Sequence, residues 1–260
     1  QEVVTQEGAT IEISSDIKNG SNIRSKGEQI NEGQVALKKG HHLNPEAIGY
    51  LHSLGVARVP VYAKPSIGIL ITGNELIKPG SDLKPGQIYE SNSSTLSNAL
   101  AKSGFDTNQI ISVKDSFDST YEAIKDLQNS CDVVLVSGGI SVGDYDYVGE
   151  ALSKLEVETI FYKVKQKPGK PLFFGKKGNK KFFALPGNPA SALTCLYQYV
   201  IPSLKMSCGS KSPHLTTVRL PLTSEFRKKG NRFEFLKAKV NEQGVEILDG
   251  QSSAMLESYS

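Results

Sequence analysis

Cysteine and histidine are scarce in this chain of 260 residues, which has 3 Cys and 4 His. Cys131, Cys195 and Cys208 show no CxxC spacing, and the histidines complete no metal cluster. A structural metal held by thiol or imidazole is therefore not expected. An odd cysteine count without a framework points to a reducing compartment, and the expected location is the cytoplasm. His41 and His42 sit beside a helix start and read as solvated. Long apolar runs are also missing: nothing approaches the roughly 18 residues that a membrane span needs. Residues 1–30 hold no apolar stretch flanked by basic residues, so no secretory signal is read there. The chain opens with Gln1 rather than Met, and the expectation is that processing or a cut removed what came before. Hydrophobic residues at 38% and charged residues at 22% exclude a disordered or fibrous chain.

Net charge is small, at +3, but it is unevenly spread. Residues 66–160 carry six Lys against 14 Asp or Glu, whereas residues 161–181 carry eight Lys and no acid. Such a block fits a solubilising face, or an anion site in which same-sign charges focus a field.

Along the chain, Ala9-Thr10-Ile11-Glu12-Ile13 alternates as a strand does. A lone hairpin is marginal, so residues 1–25 read as one or two strands of something larger. Asn44-Pro45-Glu46 reads as a cap with Pro at the first helical position, followed by Ile48, Leu51 and Leu54 on one face. Strands are expected at 66–71, 108–113, 132–136, 158–164 and 182–185. Helices are expected after Asn92, after Ser119 or Thr120, near 147–155 and over 189–206. This alternation argues an α/β layer with a parallel or mixed sheet. Past Gly209 the strand-like runs 218–220, 233–236 and 245–248 suggest a small β domain, with 215–222 as an edge strand.

In an open α/β sheet, ligands bind beyond the carboxyl ends of the strands. That rule selects Thr72-Gly73-Asn74-Glu75, the loop around Asp115, the loop Ser137–Asp146 and the Lys-rich segment from Lys163. Gly138 and Gly139 permit close backbone approach, and Ser137 and Ser141 add hydroxyls, as a phosphate cradle requires. The loop is neither a Walker motif nor a GxGxxG fingerprint. Its alternative is an ordinary glycine turn. Glu75, Asp115, Asp144 and Asp146 form a possible carboxylate set for Mg²⁺. Asp144 reads equally as a helix cap, and Asp146 is the preferred ligand. Glu90 reads either way, since Tyr89-Glu90-Ser91-Asn92 also suits a strand end and a cap.

Lys163, Lys165 and Lys167 alternate, so an extended strand would put all three on one face. Pro168-Gly169 turns the chain and Lys170-Pro171 leaves it. A rigid turn holding ammonium groups suits an oxyanion or phosphate better than a duplex groove, and no aromatic stripe accompanies it. Nucleic acid is not the expected partner. In Leu185-Pro186-Gly187-Asn188-Pro189, Asn188 can cap a helix whose free N–H groups face an anion.

These motifs together resemble a known family. Thr72–Leu76, Pro85–Tyr89 with Ser91-Asn92, Ser137–Asp146, Lys167–Pro171 and Leu185–Pro189 stand in the order typical of molybdopterin molybdenumtransferases. These are bacterial MoeA and the related E domains of gephyrin and the plant enzyme. Asn22-Ile23-Arg24 with Lys26-Gly27-Glu28 is similar too.

The resemblance implies the last step of molybdenum cofactor synthesis: molybdate enters the dithiolene of adenylylated molybdopterin and AMP is released. It implies functional positions at Glu75, Asp115, Asp146, Lys163 and Lys167, with Mg²⁺ on the three acids. Thr72, Ser137, Gly138, Gly139, Ser141, Lys170, Pro186 and Pro189 would line the pterin-nucleotide cleft. The implied fold is a three-layer α/β sheet domain at 64–209. A remnant of the N-terminal domains at 1–63 precedes it, and an incomplete β barrel at 210–260 follows. Family members dimerise and borrow site residues from the partner's N-terminal region, with molybdopterin-synthesis proteins as further partners. One departure stands out: the usual Gly-Asp-Glu-Leu is here Gly73-Asn74-Glu75-Leu76. An N-terminal part bearing a Thr-Gly motif and a further Asp is missing, so weak or no turnover is expected of this chain alone. The alternatives are a molybdopterin adenylyltransferase-like domain, a non-catalytic dimeric scaffold of the gephyrin type and a generic phosphate-binding module.

Overall fold

The computed structural model describes residues 4–13, 18–21, 23–140, 146–228 and 230–259. The chain divides into two compact units, Gln1–Val59 and Pro60–Ser260.

In the first unit, β1 (Val4–Glu7) and β2 (Thr10–Ile13) form an antiparallel hairpin with Val4 opposite Ile13. Both strands are exposed along their length. Helix α1 (Pro45–Ser53) starts as its sequence suggests: the Asn44 side chain accepts the Ala47 N–H at 2.8 Å and Pro45 opens the first turn. Ala47 and Leu51 are buried.

The second unit contains the remaining elements. They are β3 (Ile67–Thr72), β4 (Leu76–Ile77), β5 (Ile88–Tyr89), α2 (Asn92–Lys102), β6 (Gln109–Val113), α3 (Phe117–Ser130), β7 (Val133–Ser137) and α4 (Tyr147–Lys154). After these come β8 (Glu158–Tyr162), β9 (Gln166–Lys167), β10 (Phe173–Lys177), β11 (Lys180–Leu185), α5 (Pro189–Cys195), a π-helical turn (Leu196–Val200) and α6 (Ile201–Ser207). The last strands are β12 (Phe233–Glu234), β13 (Ala238–Asn241) and β14 (Gly244–Ile247).

Six strands make one sheet in the order β6-β3-β7-β11-β10-β8. The first four run parallel, and β10 is antiparallel to both its neighbours. Alternate residues of the central strands enter opposite hydrophobic layers. Ile67, Ile69, Ile71, Val133, Leu135, Phe183 and Leu185 pack with Leu96 and Leu100 of α2, Leu193 of α5 and Leu204 of α6. Leu70, Val134, Val136, Phe182 and Ala184 pack with Ile124 and Leu127 of α3 and Leu152 of α4. Burial on both faces explains why these strands are apolar at nearly every position. The domain is three-layered, helices over sheet over helices.

Several elements differ from the sequence reading. α3 begins earlier, because Ser116 rather than Ser119 or Thr120 is its cap, accepting the Ser119 N–H at 3.4 Å. Ser91 holds the cap position of α2 without a side-chain bond; the Glu90 carboxylate accepts the Ser93 N–H at 2.8 Å instead. Asn92 lies inside the helix. β8 stops at Tyr162, because Lys163 turns to a φ of 66°. Lys163, Lys165 and Lys167 therefore do not share one extended strand. β10 was not legible: its inward Phe173 and Gly175 sit among lysines, and it pairs with β11 across the turn at Gly178. The 189–206 helix is interrupted by the π-helical turn immediately before Ile201-Pro202, where Pro202 has no N–H to donate.

Past Gly209 the strands are fewer than expected among the described residues. No strand covers 215–222; one bridge joins Leu222 to Val245. β13 and β14 form a hairpin. β12 runs parallel to β9, with Phe233 opposite Gln166 and Glu234 opposite Lys167, so this segment braces the lysine turn.

Candidate functional site

Sheet topology locates the site. The chain leaves β3 toward β6 on one side, and leaves β7 toward the β11 side on the other. The crevice between the carboxyl ends of β3 and β7 is thus the switch point where α/β sheets bind ligands. Thr72 and Ser137 end these two strands, and Ile71 pairs with Ser137.

The loops around the crevice are stitched together. Thr72, 2% exposed, donates its hydroxyl to Asp115 Oδ1 at 3.1 Å. Asn74 Oδ1 accepts the Asp115 N–H at 3.1 Å. Glu75 is exposed on the same loop. A Cβ on Gly138 would stand 2.1 Å from the Thr72 carbonyl oxygen, and Gly138 has a φ of 94°. Only glycine admits this backbone crossing. Ser137 accepts a bond from Asn92 Nδ2 at 2.9 Å, and the same nitrogen donates to the Gly187 carbonyl at 2.7 Å. The Pro186–Pro189 turn therefore lies beside the glycine loop. Ser141 and Asp144 fall outside the described residues.

Asp146 occupies the cap of α4. Its Oδ1 accepts the Gly149 N–H at 2.9 Å and its Oδ2 accepts the Tyr162 hydroxyl at 2.7 Å. The cap role considered for Asp144 thus belongs to Asp146. Among the described residues, no group of three or more Asp, Glu, His or Cys is placed to hold a metal ion. Mg²⁺ needs only one or two carboxylates when waters and substrate phosphates complete its shell. Glu75 and Asp115 are carboxylates of the kind that donor set uses; Asp146 accepts one bond at each oxygen, from Gly149 and Tyr162, and keeps further lone pairs.

The lysine segment begins directly after β8. Lys163 Nζ lies 4.7 Å from the Tyr162 ring centroid. Lys163, Lys165, Lys167 and Lys170 are all exposed. The turn between them is built on Gln166, 1% exposed, which donates to the Pro168 carbonyl at 3.1 Å and accepts from the Tyr199 hydroxyl. The Lys167–Pro168 peptide is cis. Gly169 packs over Cys195 Sγ, and burial pushes that thiol up to about 12, so it stays protonated and unreactive at neutral pH.

The expected side-chain cap from Asn188 is not made. Asn188 Nδ2 donates to Ser253 Oγ at 2.9 Å, and the Ala190 N–H goes to the Ser253 carbonyl at 3.0 Å. One donor expected to face an anion at the start of α5 is thus already used.

Asn92, Gln166 and Tyr162 were not singled out as site residues from sequence. A signal for Asn92 existed: it shares the inward stripe of α2 with Leu96, Ala99 and Leu100. Gln166 alternates with lysines, which marks it as the inward residue of that run.

A cavity of about 210 Å³ lies at the opposite, amino-terminal edge of the sheet, lined by Lys64, Asp132, Asn179, Lys181 and Ser207 among others. It has no glycine loop. Its Asp132 carboxyl is held below the usual range by bonds from the Ser66 N–H and hydroxyl, a structural latch.

Residues 68–206 match the family described as probable molybdopterin binding domain, and residues 1–55 match the MoeA N-terminal region (domain I and II). The chain belongs to the MoeA, or molybdopterin molybdenumtransferase, family. It is 36% identical over 254 residues to the molybdopterin molybdenumtransferase of Haemophilus influenzae, covering 95% of this chain and 62% of the relative. It is 33% identical over 230 residues to that of Staphylococcus aureus strain Mu50, covering 88% of this chain and 55% of the relative. The solved MoeA protein of Pyrococcus horikoshii OT3 superposes with a TM-score of 0.75 at 28% identity, covering 100% of this chain and 63% of that one. A molybdenum cofactor biosynthesis protein from Pyrococcus furiosus gives a TM-score of 0.65 at 25% identity, covering 86% of this chain and 69% of that one. The MoeA-like chain here thus spans a little over half the length of these curated relatives.

Proposed function

We propose that this chain acts in molybdenum cofactor biosynthesis, binding adenylylated molybdopterin at the β3–β7 crevice for insertion of molybdate and release of AMP. The observation that carries the reading is the stitching of separate loops at one sheet edge. Thr72 bonds Asp115, Asn74 bonds Asp115, and Asn92 bonds both Ser137 and Gly187. The family membership of the chain supports a molybdopterin compound as the ligand.

In this reading Ser137, Gly138 and Gly139 present backbone and hydroxyl groups to the phosphates. Pro186 and Pro189 belong to the same lining. Lys163 and Lys167 hold molybdate by charge near the dithiolene sulfurs, and Lys170 lines the pterin-nucleotide cleft. Glu75 and Asp115 would hold Mg²⁺, which when bound stabilises charge on the pyrophosphate as the AMP bond breaks. Asp146 acts chiefly by fixing the start of α4 and the end of β8. No covalent nucleophile on the protein is required; the chain contributes positioning and electrostatics. Homodimerisation and a partner-supplied part of the site are included in the proposal.

Calorimetry of this chain with molybdopterin-AMP, with and without molybdate and Mg²⁺, tests it. Saturable pterin-nucleotide binding that strengthens with Mg²⁺ is the expected result. Absence of binding with an intact fold would remove the assignment.

A further inference from the structure

Asn92 is the first residue of α2 and is 9% exposed. Its Nδ2 donates to two acceptors on different loops, Ser137 Oγ at the head of the glycine loop and the Gly187 carbonyl in the Pro186–Pro189 turn. The two loops meet closely, since a Cβ on Gly187 would lie 3.7 Å from Gly138 Cα. The amide orientation is set by chemistry. A carbonyl oxygen has no proton, so only the nitrogen of Asn92 can face Gly187. Because Ser137 Oγ accepts from Asn92, its own proton remains for a different acceptor. The other amide atom, Oδ1, is buried without a hydrogen-bond partner among the described residues. An unpaired buried acceptor lowers stability. The fold tolerates that cost at a side chain that joins both loops.

We propose that Asn92 is a positioning residue: it locks the glycine loop to the Pro186–Pro189 turn and sets Ser137 as a hydrogen-bond donor toward the bound phosphates. This rests on the reading above, that the crevice takes adenylylated molybdopterin.

The test compares wild type, Asn92→Ala, Asn92→Asp and a control, Leu127→Ala, which loosens the opposite hydrophobic layer. Hydrogen exchange is followed at residues 138–139 and 187–188, and molybdopterin-AMP affinity by calorimetry. Asn92→Ala should speed exchange in both loops and weaken the affinity, each by about tenfold, the loss of one to two net hydrogen bonds. Asn92→Asp keeps the shape but sets a carboxylate oxygen against the Gly187 carbonyl and accepts a hydrogen bond from the Ser137 hydroxyl, so that its proton is no longer free for the phosphates. It should free the 187–188 turn and weaken affinity at least as much. Should Asn92→Ala not fold, Asn92→Asp carries the test alone. Leu127→Ala should lower the melting temperature with both loops and the affinity near wild type. The proposal is overturned if the Asn92 variants exchange at both loops as Leu127→Ala does, or if they fold and bind like wild type. If wild type itself fails to bind, the ligand reading falls, and the exchange rates still decide whether Asn92 holds the loops.

Discussion

The Tyr162 hydroxyl donates to Asp146 Oδ2 at 2.7 Å, so the last residue of β8 holds the residue that caps α4. Lys163 follows immediately and leaves the strand through a left-handed backbone turn. The bond joins the end of β8 to the start of α4 at the point where the lysine segment begins.

The bond has a pH signature. Burial first, then the bond to Asp146 and its charge, raise the Tyr162 pKa above its ordinary value of 10.0. A raised folded-state pKa adds stability that is fully present below the unfolded value and is lost as pH rises through the folded one. Melting temperature should therefore fall above about pH 10. Tyr162→Phe should cost about 1 kcal/mol at neutral pH and show a shallower alkaline decline. Thermal melts from neutral to alkaline pH, wild type against variant, measure both; parallel declines would contradict it.

Asn74 stands where the family usually has Asp. Its Oδ1 accepts the Asp115 N–H, a role a carboxylate can also fill. Asn74→Asp should keep the fold and the melting temperature while adding negative charge beside Asp115 and Glu75. Calorimetry should show tighter Mg²⁺ binding and weaker molybdate binding. Unchanged affinity for both would mean that this loop does not meet either ion.

Lys167 opens a turn whose shape Gln166 holds from beneath. Lys167→Ala should therefore remove charge without releasing the turn. Molybdate affinity should drop by about tenfold, in the range of one lost charge-assisted hydrogen bond, with a smaller effect on the pterin nucleotide. Equal losses for both ligands would count against the division of roles.

Gly138→Ala brings a methyl group to 2.1 Å from the Thr72 carbonyl at a φ of 94°. Relief requires β3 and the glycine loop to separate. A loss of stability of about 2–4 kcal/mol is expected, from positive φ and overpacking combined. Urea unfolding of the variant gives the value; a loss under about 0.5 kcal/mol would show that the crossing is loose.

Much of the frame was legible in the chain. Ile67–Ile71 and Val133–Val136 are apolar at nearly every position, which marks strands covered on both faces. Asn44-Pro45 announced α1, and the observed cap bond follows that pattern. Other features were masked by composition. Phe173–Lys177 is a strand whose two lysines make it resemble a solvated loop. Ser91, Asn92 and Ser93 all look like cap residues, so the buried bridge made by Asn92 was concealed among residues that prefer helix starts.

The sequence alone determined which segments are strands with two buried faces, which loops carry glycine, carboxylate and ammonium groups, and the family to which they belong. Periodicity records which side of an element is covered but not which neighbour covers it. The sheet order placed the switch point between β3 and β7. It brought Thr72 to Asp115 across 43 positions, and Asn92 to Ser137 and Gly187 across 45 and 95. Those pairings depend on strands meeting edge to edge through hydrogen bonds between residues distant in the chain. For that reason only the tertiary structure could decide that Asp146 serves as a cap and that Asn92 ties the crevice together.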